Sequence, residues 1–295
     1  MDGRLSDMRL ALLSAANPDG GWGYYPGKAS RLEPTCWALL ALAATGESRS
    51  AEASRNFFRE SQRRDGLLLE PAVREEDRPN LAFNGLAALV LADRPALATQ
   101  GMLERLILGI IEHRGIKLPQ SPLSPQDNSL QAWSWIDTTF SWVEPTAWCL
   151  LALKKVAAGR SDAHARIDVA ERMLRDRCCV AGGWNSGTAM VLGQGLNPYV
   201  PTTALGLMSL HDLPGDSVVV RSLAALRRLA LSERSAMALS LTQIAFALFG
   251  LDTLELEQAL HDQWTRTSFL GNIHLTAMAL YSLTDKAHGP LAFKI

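Results

Sequence analysis

Residues 131–153 read QAWSWIDTTFSWVEPTAWCLLAL, and the chain repeats this pattern, which decides its fold. Residues 20–42 read GGWGYYPGKASRLEPTCWALLAL, and residues 181–210 read AGGWNSGTAMVLGQGLNPYVPTTALGLMSL. Each copy is an aromatic loop, usually rich in glycine, followed by a Pro-Thr step and a small, apolar helix. Self-similarity at intervals of tens of residues indicates an array of one supersecondary unit.

The repeated helix has its own signature, which is Thr, two residues, a small residue, Leu, any residue, Ala or Ser, and Leu. The signature is clear from Thr35, Thr146, Thr203 and Thr276, looser from Thr242, and reduced near Ala82 to a Leu-Ala-Ala-Leu core. These six segments are apolar nearly all round, as in helices buried on both sides. Amphipathic segments alternate with them, at 5–16, 51–63, 95–113, 162–177, 217–231 and 254–264.

Buried inner helices that alternate with half-exposed outer helices predict six helical hairpins. We predict an all-α fold in which residues 1–295 form one domain, an α/α toroid whose six hairpins close into a ring around a central cavity. An open solenoid is the competing architecture, because periodicity does not establish closure. The loops at 115–143 and 182–199 are long enough to be binding loops, and both are expected at the same mouth of the ring.

Composition narrows the classes of partner. The net charge of −1 gives no electrostatic reason to expect nucleic acid or an anionic membrane as a partner. Four cysteines without a Cys-x-x-Cys pair favour a reducing cytoplasm over a disulfide scaffold. Residues 1–10, MDGRLSDMRL, lack the apolar core that a signal peptide has, and no apolar run approaches the roughly 18 residues of a membrane span. We expect a cytoplasmic protein and leave peripheral membrane contact open.

The Gly-Gly-Trp loops at Trp22 and Trp184, each followed by a Pro-Thr helix, resemble the squalene cyclase and protein prenyltransferase β-subunit superfamily. The stretch FRESQRRDG, from Phe58 to Gly66, is similar to a worn form of that family's Gln-Trp repeat motif. The resemblance extends over nearly the whole chain. It implies a toroid that binds isoprenoid chains, either to cyclise them or to attach them to cysteine.

Proton-initiated cyclases of this superfamily carry Asp-x-Asp-Asp-Thr-Ala at the start of an inner helix. Aligning Thr146 and Ala147 with that motif places Glu144 at the middle, proton-donating position, while Trp142 and Pro145 replace the flanking aspartates. Asp137 in the preceding loop is the candidate partner of Glu144. The structural alternative is strong, because Glu33 begins an identical Glu-Pro-Thr step, and an acid followed by proline is a common helix start.

Prenyltransferases of the superfamily instead bind zinc through Asp-x-Cys and a histidine. Glu33, Cys36 and His274 lie at the starts of the first and sixth inner helices, which adjoin in a closed ring. The acid-to-cysteine spacing and the position of the histidine both miss the motif by one residue. We therefore predict no metal and no cofactor, and interpret Cys36 as a core residue.

Aromatic residues of the loops are the candidate contacts for a ligand: Trp22, Trp133, Trp135, Trp142, Trp184 and Tyr199. Such rings suit an apolar polyene and stabilise a cation by roughly 0.5 to 2 kcal/mol each. The alternative is that they brace the helix starts. The leading prediction is a cyclase-like protein that holds an isoprenoid or another long apolar molecule. A non-catalytic binding or interaction scaffold and a zinc-dependent prenyltransferase-like subunit are the alternatives.

Overall fold

The computed structural model describes residues 3–47, 51–70, 77–120, 125–157, 159–284 and 291–295. Twelve α-helices follow one another within these residues: α1 (Gly3–Ser14), α2 (Leu32–Ala44), α3 (Ala51–Ser61), α4 (Leu81–Asp93), α5 (Met102–Glu112), α6 (Val143–Val156), α7 (Ser161–Asp176), α8 (Val200–Ser209), α9 (Ser217–Ala230), α10 (Ala236–Leu248), α11 (Leu254–Thr267) and α12 (Ile273–Thr284). Three short 3-10 turns, Pro95–Leu97, Ser268–Gly271 and Leu291–Phe293, accompany them.

The even-numbered helices form a closed inner ring. Each packs against the next, from α2 through α4, α6, α8 and α10 to α12, and α12 returns to pack against α2. Helices α5, α7, α9 and α11 lie outside, each against the inner helix that precedes it, and α1 packs against α12. The predicted all-α toroid is confirmed. An open solenoid is excluded, because its first and last inner helices would not meet.

The inner helices approach one another closely because small residues lie between them. A Cβ atom at Gly85 of α4 would lie 2.7 Å from the backbone of Trp148 on α6. The apolar surface of the inner helices is buried within the ring. Among the described residues, no helix has both the length and the apolarity needed to cross a membrane.

A threonine ties three of the inner helices to the loops that precede them. In each case the backbone N–H of a loop tryptophan donates to the threonine Oγ1: Trp22 to Thr35, Trp133 to Thr146 and Trp184 to Thr203, at 2.8, 3.3 and 3.0 Å. The Pro-Thr step of the repeat is therefore a loop anchor. In the second hairpin Asn84 takes this role, since its side chain accepts from the N–H of Leu68 at 2.7 Å and donates to the Leu68 carbonyl at 3.0 Å.

The two long loops differ in structure. Residues 121–124 of the loop before α6 lie outside the described residues. In the loop before α8, strands β1 (Met190–Val191) and β2 (Gln194–Gly195) pair as a small antiparallel hairpin, which the sequence did not predict. Its turn passes through Leu192 and Gly193, both with positive φ. Both loops lead into the N-terminal ends of inner helices and so lie at one mouth of the ring.

Candidate functional site

Trp22, Trp133 and Trp184 are structural residues of the loops. All three side chains are completely buried. Each indole N–H donates to a carbonyl oxygen of the preceding outer helix, at 2.7 to 2.8 Å: Leu12 of α1, Ile110 of α5 and Leu174 of α7. A buried indole whose N–H is satisfied by the protein joins helix to loop and leaves no face for a ligand. This corrects the prediction that these three rings contact a ligand.

The inside of the ring is marked by a contact between Trp37 of α2 and Trp148 of α6. Their ring centroids lie 6.1 Å apart, edge to face, although α4 stands between the two helices. Helices that are separated by another member of the ring meet across its interior, so both tryptophans point toward the axis. Tyr281 of α12 and Phe293 of the turn Leu291–Phe293 complete this cluster, which we call the aromatic floor.

Glu33 and Glu144 lie one helical turn above the aromatic floor. Each precedes the floor tryptophan of its own helix by four residues and therefore shares its face. Residues 32–42 of α2 and 143–154 of α6 are all buried except these two glutamates, which are partly accessible. The two carboxyl groups therefore face the ring interior near its mouth.

The Glu144 carboxyl keeps its proton at neutral pH. Burial removes the water that would stabilise the anion, and the charge of Glu33 adds repulsion. Together they raise the pKa of Glu144 from 4.5 to about 8. No hydrogen bond from the described residues offsets these two effects. Glu144 therefore combines an acidic proton with access from the mouth, as a general acid requires.

Glu33 is the hydrogen-bonded member of the pair. The hydroxyl of Tyr24 donates to Glu33 Oε2 at 2.6 Å, while Nε2 of His274 lies 3.5 Å from Oε1, which is long for a hydrogen bond. The rings of Tyr24 and His274 meet edge to face at 5.7 Å. Burial lowers the pKa of His274 although Glu33 opposes the shift, and burial with the charge of Glu33 raises the pKa of Tyr24. Both neighbours of Glu33 are therefore uncharged at neutral pH.

Glu33, Cys36 and His274 do not form the arrangement that zinc requires. Cys36 is fully buried, and burial, followed by the charges of Glu33 and Glu70, raises the pKa of its thiol well above the ordinary value. A metal ligand must be a thiolate, which this environment disfavours. Among the residues that the structure describes, no three His, Cys, Asp or Glu side chains come together as a candidate metal site.

Asp137, predicted as the partner of Glu144, lies on the surface. Its carboxylate is exposed and pairs with Arg78 in the loop before α4. The acid whose charge shifts the pKa of Glu144 is Glu33. The predicted pairing is thereby corrected, because the fold brings to Glu144 the glutamate that the repeat duplicates, and not its neighbour in sequence.

An apolar groove of about 400 Å³ opens beside the mouth of the ring. Trp142, the residue before α6, lines it and stacks on Phe140 with ring centroids 4.5 Å apart. Tyr199, the residue before α8, is 57% exposed and lines the groove together with Val191 and Leu192 of the hairpin. The described lining carries no charged side chain. Two of the predicted contact residues, Trp142 and Tyr199, thus lie on a surface suited to an apolar ligand.

Trp135 connects two parts of the mouth. Its side chain is half-buried against the core, and its carbonyl accepts the backbone N–H of Leu81, at the start of α4, at 2.9 Å. The residue therefore ties the loop before α6 to a neighbouring inner helix. Its role toward a ligand stays a prediction.

The spacing within the repeat indicates a cluster of side chains that the alignment with family motifs did not reveal. Glu33, Glu144 and His274 each stand two residues before a repeat threonine, so a closed ring brings them to one level. Tyr24 and Phe293 carry no comparable signal. Tyr24 reaches Glu33 through the geometry of its loop, and Phe293 reaches the ring from outside the repeats.

Comparison with known proteins gives the fold a name. No family model matches the chain, and no curated protein does. The type II terpene cyclase MstE from Scytonema is similar in structure, with 16% identity, a TM-score of 0.60 and coverage of 96% of this chain and 99% of the cyclase. This chain shares its α/α toroid fold with that cyclase. A variant of the same cyclase in complex with geranylgeranyl dihydroxybenzoate gives a TM-score of 0.58 at 16% identity, over 95% of this chain and 97% of that one.

The same fold also occurs in glycosidases. An α-amylase from Clostridium perfringens matches with a TM-score of 0.69 at 8% identity, over 96% of this chain and 98% of the amylase. Likeness at these identities concerns the architecture, and one architecture hosts unrelated chemistries. The features of this toroid that bear on its function are Glu144, Glu33 and the surfaces around them.

Proposed function

We propose that the toroid holds an isoprenoid or another long apolar molecule at the mouth of its ring, and that Glu144 donates a proton to it. The observation that carries the proposal is the position of Glu144, a partly accessible carboxyl on the otherwise buried stretch 143–154, where burial and the charge of Glu33 raise its pKa to about 8. The uncharged groove lined by Trp142 and Tyr199 supports an apolar ligand. The geranylgeranyl-bearing substrate of a cyclase with the same fold supports the choice of ligand class.

The proposed reaction is an isomerisation that needs no cofactor. The O–H bond of Glu144 breaks as the π electrons of a ligand double bond take the proton, which leaves a carboxylate and a carbocation. A second double bond attacks the cation and closes a ring. Water takes a proton from the final cation, so the composition of the product equals that of the substrate, and the Glu144 carboxylate regains its proton from solvent. Glu33 opposes ionisation of Glu144 in the free protein, but in the presence of the cation its charge is stabilising, and most strongly in a site with little water.

The test of this proposal is product formation with a defined panel. The purified protein is incubated with squalene, farnesyl diphosphate, geranylgeranyl diphosphate and xylo- and malto-oligosaccharides, and products are identified by mass spectrometry. We expect a cyclised isoprenoid, and Glu144→Gln should lower its formation by roughly 100-fold or more. The control is Glu112→Gln, an exposed glutamate at the end of α5. Undiminished product from Glu144→Gln would show that another group is the acid.

The pH dependence of the reaction follows from the pKa of Glu144. The protonated acid is the active form and the pKa belongs to the ligand-free protein, so kcat/KM should be constant from about pH 6 to 7 and fall as the pH rises through about 8. The rate of product formation below the KM, measured from pH 5.5 to 9.5, checks this expectation. A rate that keeps rising between pH 7 and 9 would indicate a general base instead.

A non-catalytic binding toroid is the second candidate. Phe293 favours it, because this side chain fills part of the ring interior. The missing aspartates beside Glu144 point the same way. In that case the protein binds prenyl chains with measurable affinity but leaves every member of the panel unchanged. Release of sugars from the oligosaccharides would contradict both candidates.

A further inference from the structure

Phe293 occupies the axis of the ring below the two glutamates. Its side chain is fully buried, and its ring centroid lies 5.5 Å from Trp37, 5.8 Å from Trp148 and 5.4 Å from Tyr281. These three residues belong to α2, α6 and α12. One side chain from outside the repeats therefore closes the space between three inner helices.

The segment that carries Phe293 is fixed by side chains near the ends of two inner helices. Nζ of Lys155, near the end of α6, donates to the carbonyls of Leu291 at 2.5 Å and Lys294 at 3.0 Å. Nε2 of His211, just after α8, accepts the backbone N–H of Ile295 at 3.2 Å. Burial lowers the pKa of His211, which keeps this nitrogen free to accept. The segment 291–295 is thus held at the end of the ring opposite the mouth.

We propose that Phe293 is the floor of the ligand site and sets the length of the apolar chain that the site accepts. This inference rests on the proposed function, since it concerns the part of the same ligand that extends from the mouth into the ring. A chain that enters at the mouth and reaches Glu144 meets the aromatic floor about one helical turn further down. The floor therefore limits how much chain fits beyond the acid.

Removal of the Phe293 ring has a predictable result. A large-to-small change in an apolar core can leave a dry cavity of the order of 150 Å³, which accepts a benzene-sized guest. One isoprene unit is of that size. Phe293→Ala should therefore admit a chain longer by one isoprene unit, and should favour geranylgeraniol over farnesol relative to the unchanged protein.

Isothermal titration with farnesol and geranylgeraniol tests the proposal. In Phe293→Ala we expect the ratio of the Kd for geranylgeraniol to the Kd for farnesol to fall by at least about 10-fold, because the added carbons are buried in the new space. The matched control is Phe58→Ala, which removes an equally buried ring from the outer helix α3 and should leave the ratio unchanged. Phe293→Leu, a milder change, should shift the ratio in the same direction if the alanine variant does not fold.

The outcomes separate this inference from the proposed function. If the alcohols bind and the ratio is the same in folded Phe293→Ala or Phe293→Leu, the floor is not the determinant of length and the inference fails alone. If the ratio shifts but Glu144→Gln still makes product, the role of Phe293 in setting chain length is supported and the assignment of Glu144 as the acid fails. If neither alcohol binds the unchanged protein or the variants, both proposals are overturned.

Discussion

Glu144→Gln is expected to raise the free energy of unfolding at pH 8 by about 2 to 5 kcal/mol and to leave it nearly unchanged at pH 4.5. Below pH 4.5 the carboxyl is protonated in both the folded and the unfolded chain. Between pH 4.5 and about 8 only the unfolded chain ionises, so the stability that this group contributes at low pH is lost as the pH rises. A glutamine does not ionise and avoids that loss.

Urea unfolding followed by circular dichroism at pH 4.5, 6, 7 and 8 checks this prediction. The difference between the variant and the unchanged protein should grow steadily across the series. Glu112→Gln, at an exposed position, should stay within about 0.5 kcal/mol of the unchanged protein at each pH. A difference that is equally large at pH 4.5 would mean that packing, not ionisation, distinguishes the two side chains. If Glu144→Gln raises the free energy of unfolding and also lowers product formation, Glu144 is a functional acid that destabilises the folded protein.

Gly20→Ala is expected to lower the free energy of unfolding by about 3 to 5 kcal/mol. Gly20 has a φ of +83°, and an added Cβ would lie 2.1 Å from the carbonyl carbon of Ala53 on α3. The loop and the outer helix would have to separate, which would strain the hydrogen bond that the Ser54 hydroxyl donates to the Gly20 carbonyl at 2.7 Å. The repeat uses the same close approach at Gly66 and Gly182, against α5 and α9.

Gly27→Ala is the matched control, because Gly27 lies in the same loop with a φ of +72° and nothing within 4 Å of an added Cβ. It should cost only the backbone strain of the left-handed region, about 1 to 2 kcal/mol. Thermal and urea unfolding of both variants at neutral pH give the comparison. Equal losses from the two substitutions would show that close packing of the loop on α3 contributes little.

Much of the architecture could be predicted because it is encoded locally. Helices that are apolar all round must be buried, and their regular alternation with amphipathic segments implies hairpins. The predicted outer segments agree with the observed helices to within a few residues, apart from 95–113, where a 3-10 turn and α5 share the segment. The hairpin β1–β2 escaped prediction because its two-residue strands are too short to show alternation.

The site was less predictable because its partners are distant in sequence. Glu144 follows from alignment with a family motif, but its neighbour does not, since the nearest acid along the chain, Asp137, pairs with Arg78 at the surface. Trp22 and Trp142 look equivalent as loop aromatics. Trp22 is enclosed and its indole N–H donates to a backbone carbonyl, whereas Trp142 lines an apolar groove.

The sequence by itself determined that this protein is a helical repeat array with anchored loops, because helix periodicity and the Pro-Thr step act over a few residues. Only the tertiary structure decided that the ring closes, that Glu33 faces Glu144, and that Phe293 fills the axis below them. The physical reason is that the pKa of Glu144, the aromatic floor and the apolar groove all depend on which groups come into contact across the ring. The repeat alone does not determine these contacts, because its copies are similar in sequence and acquire different neighbours only when the ring closes.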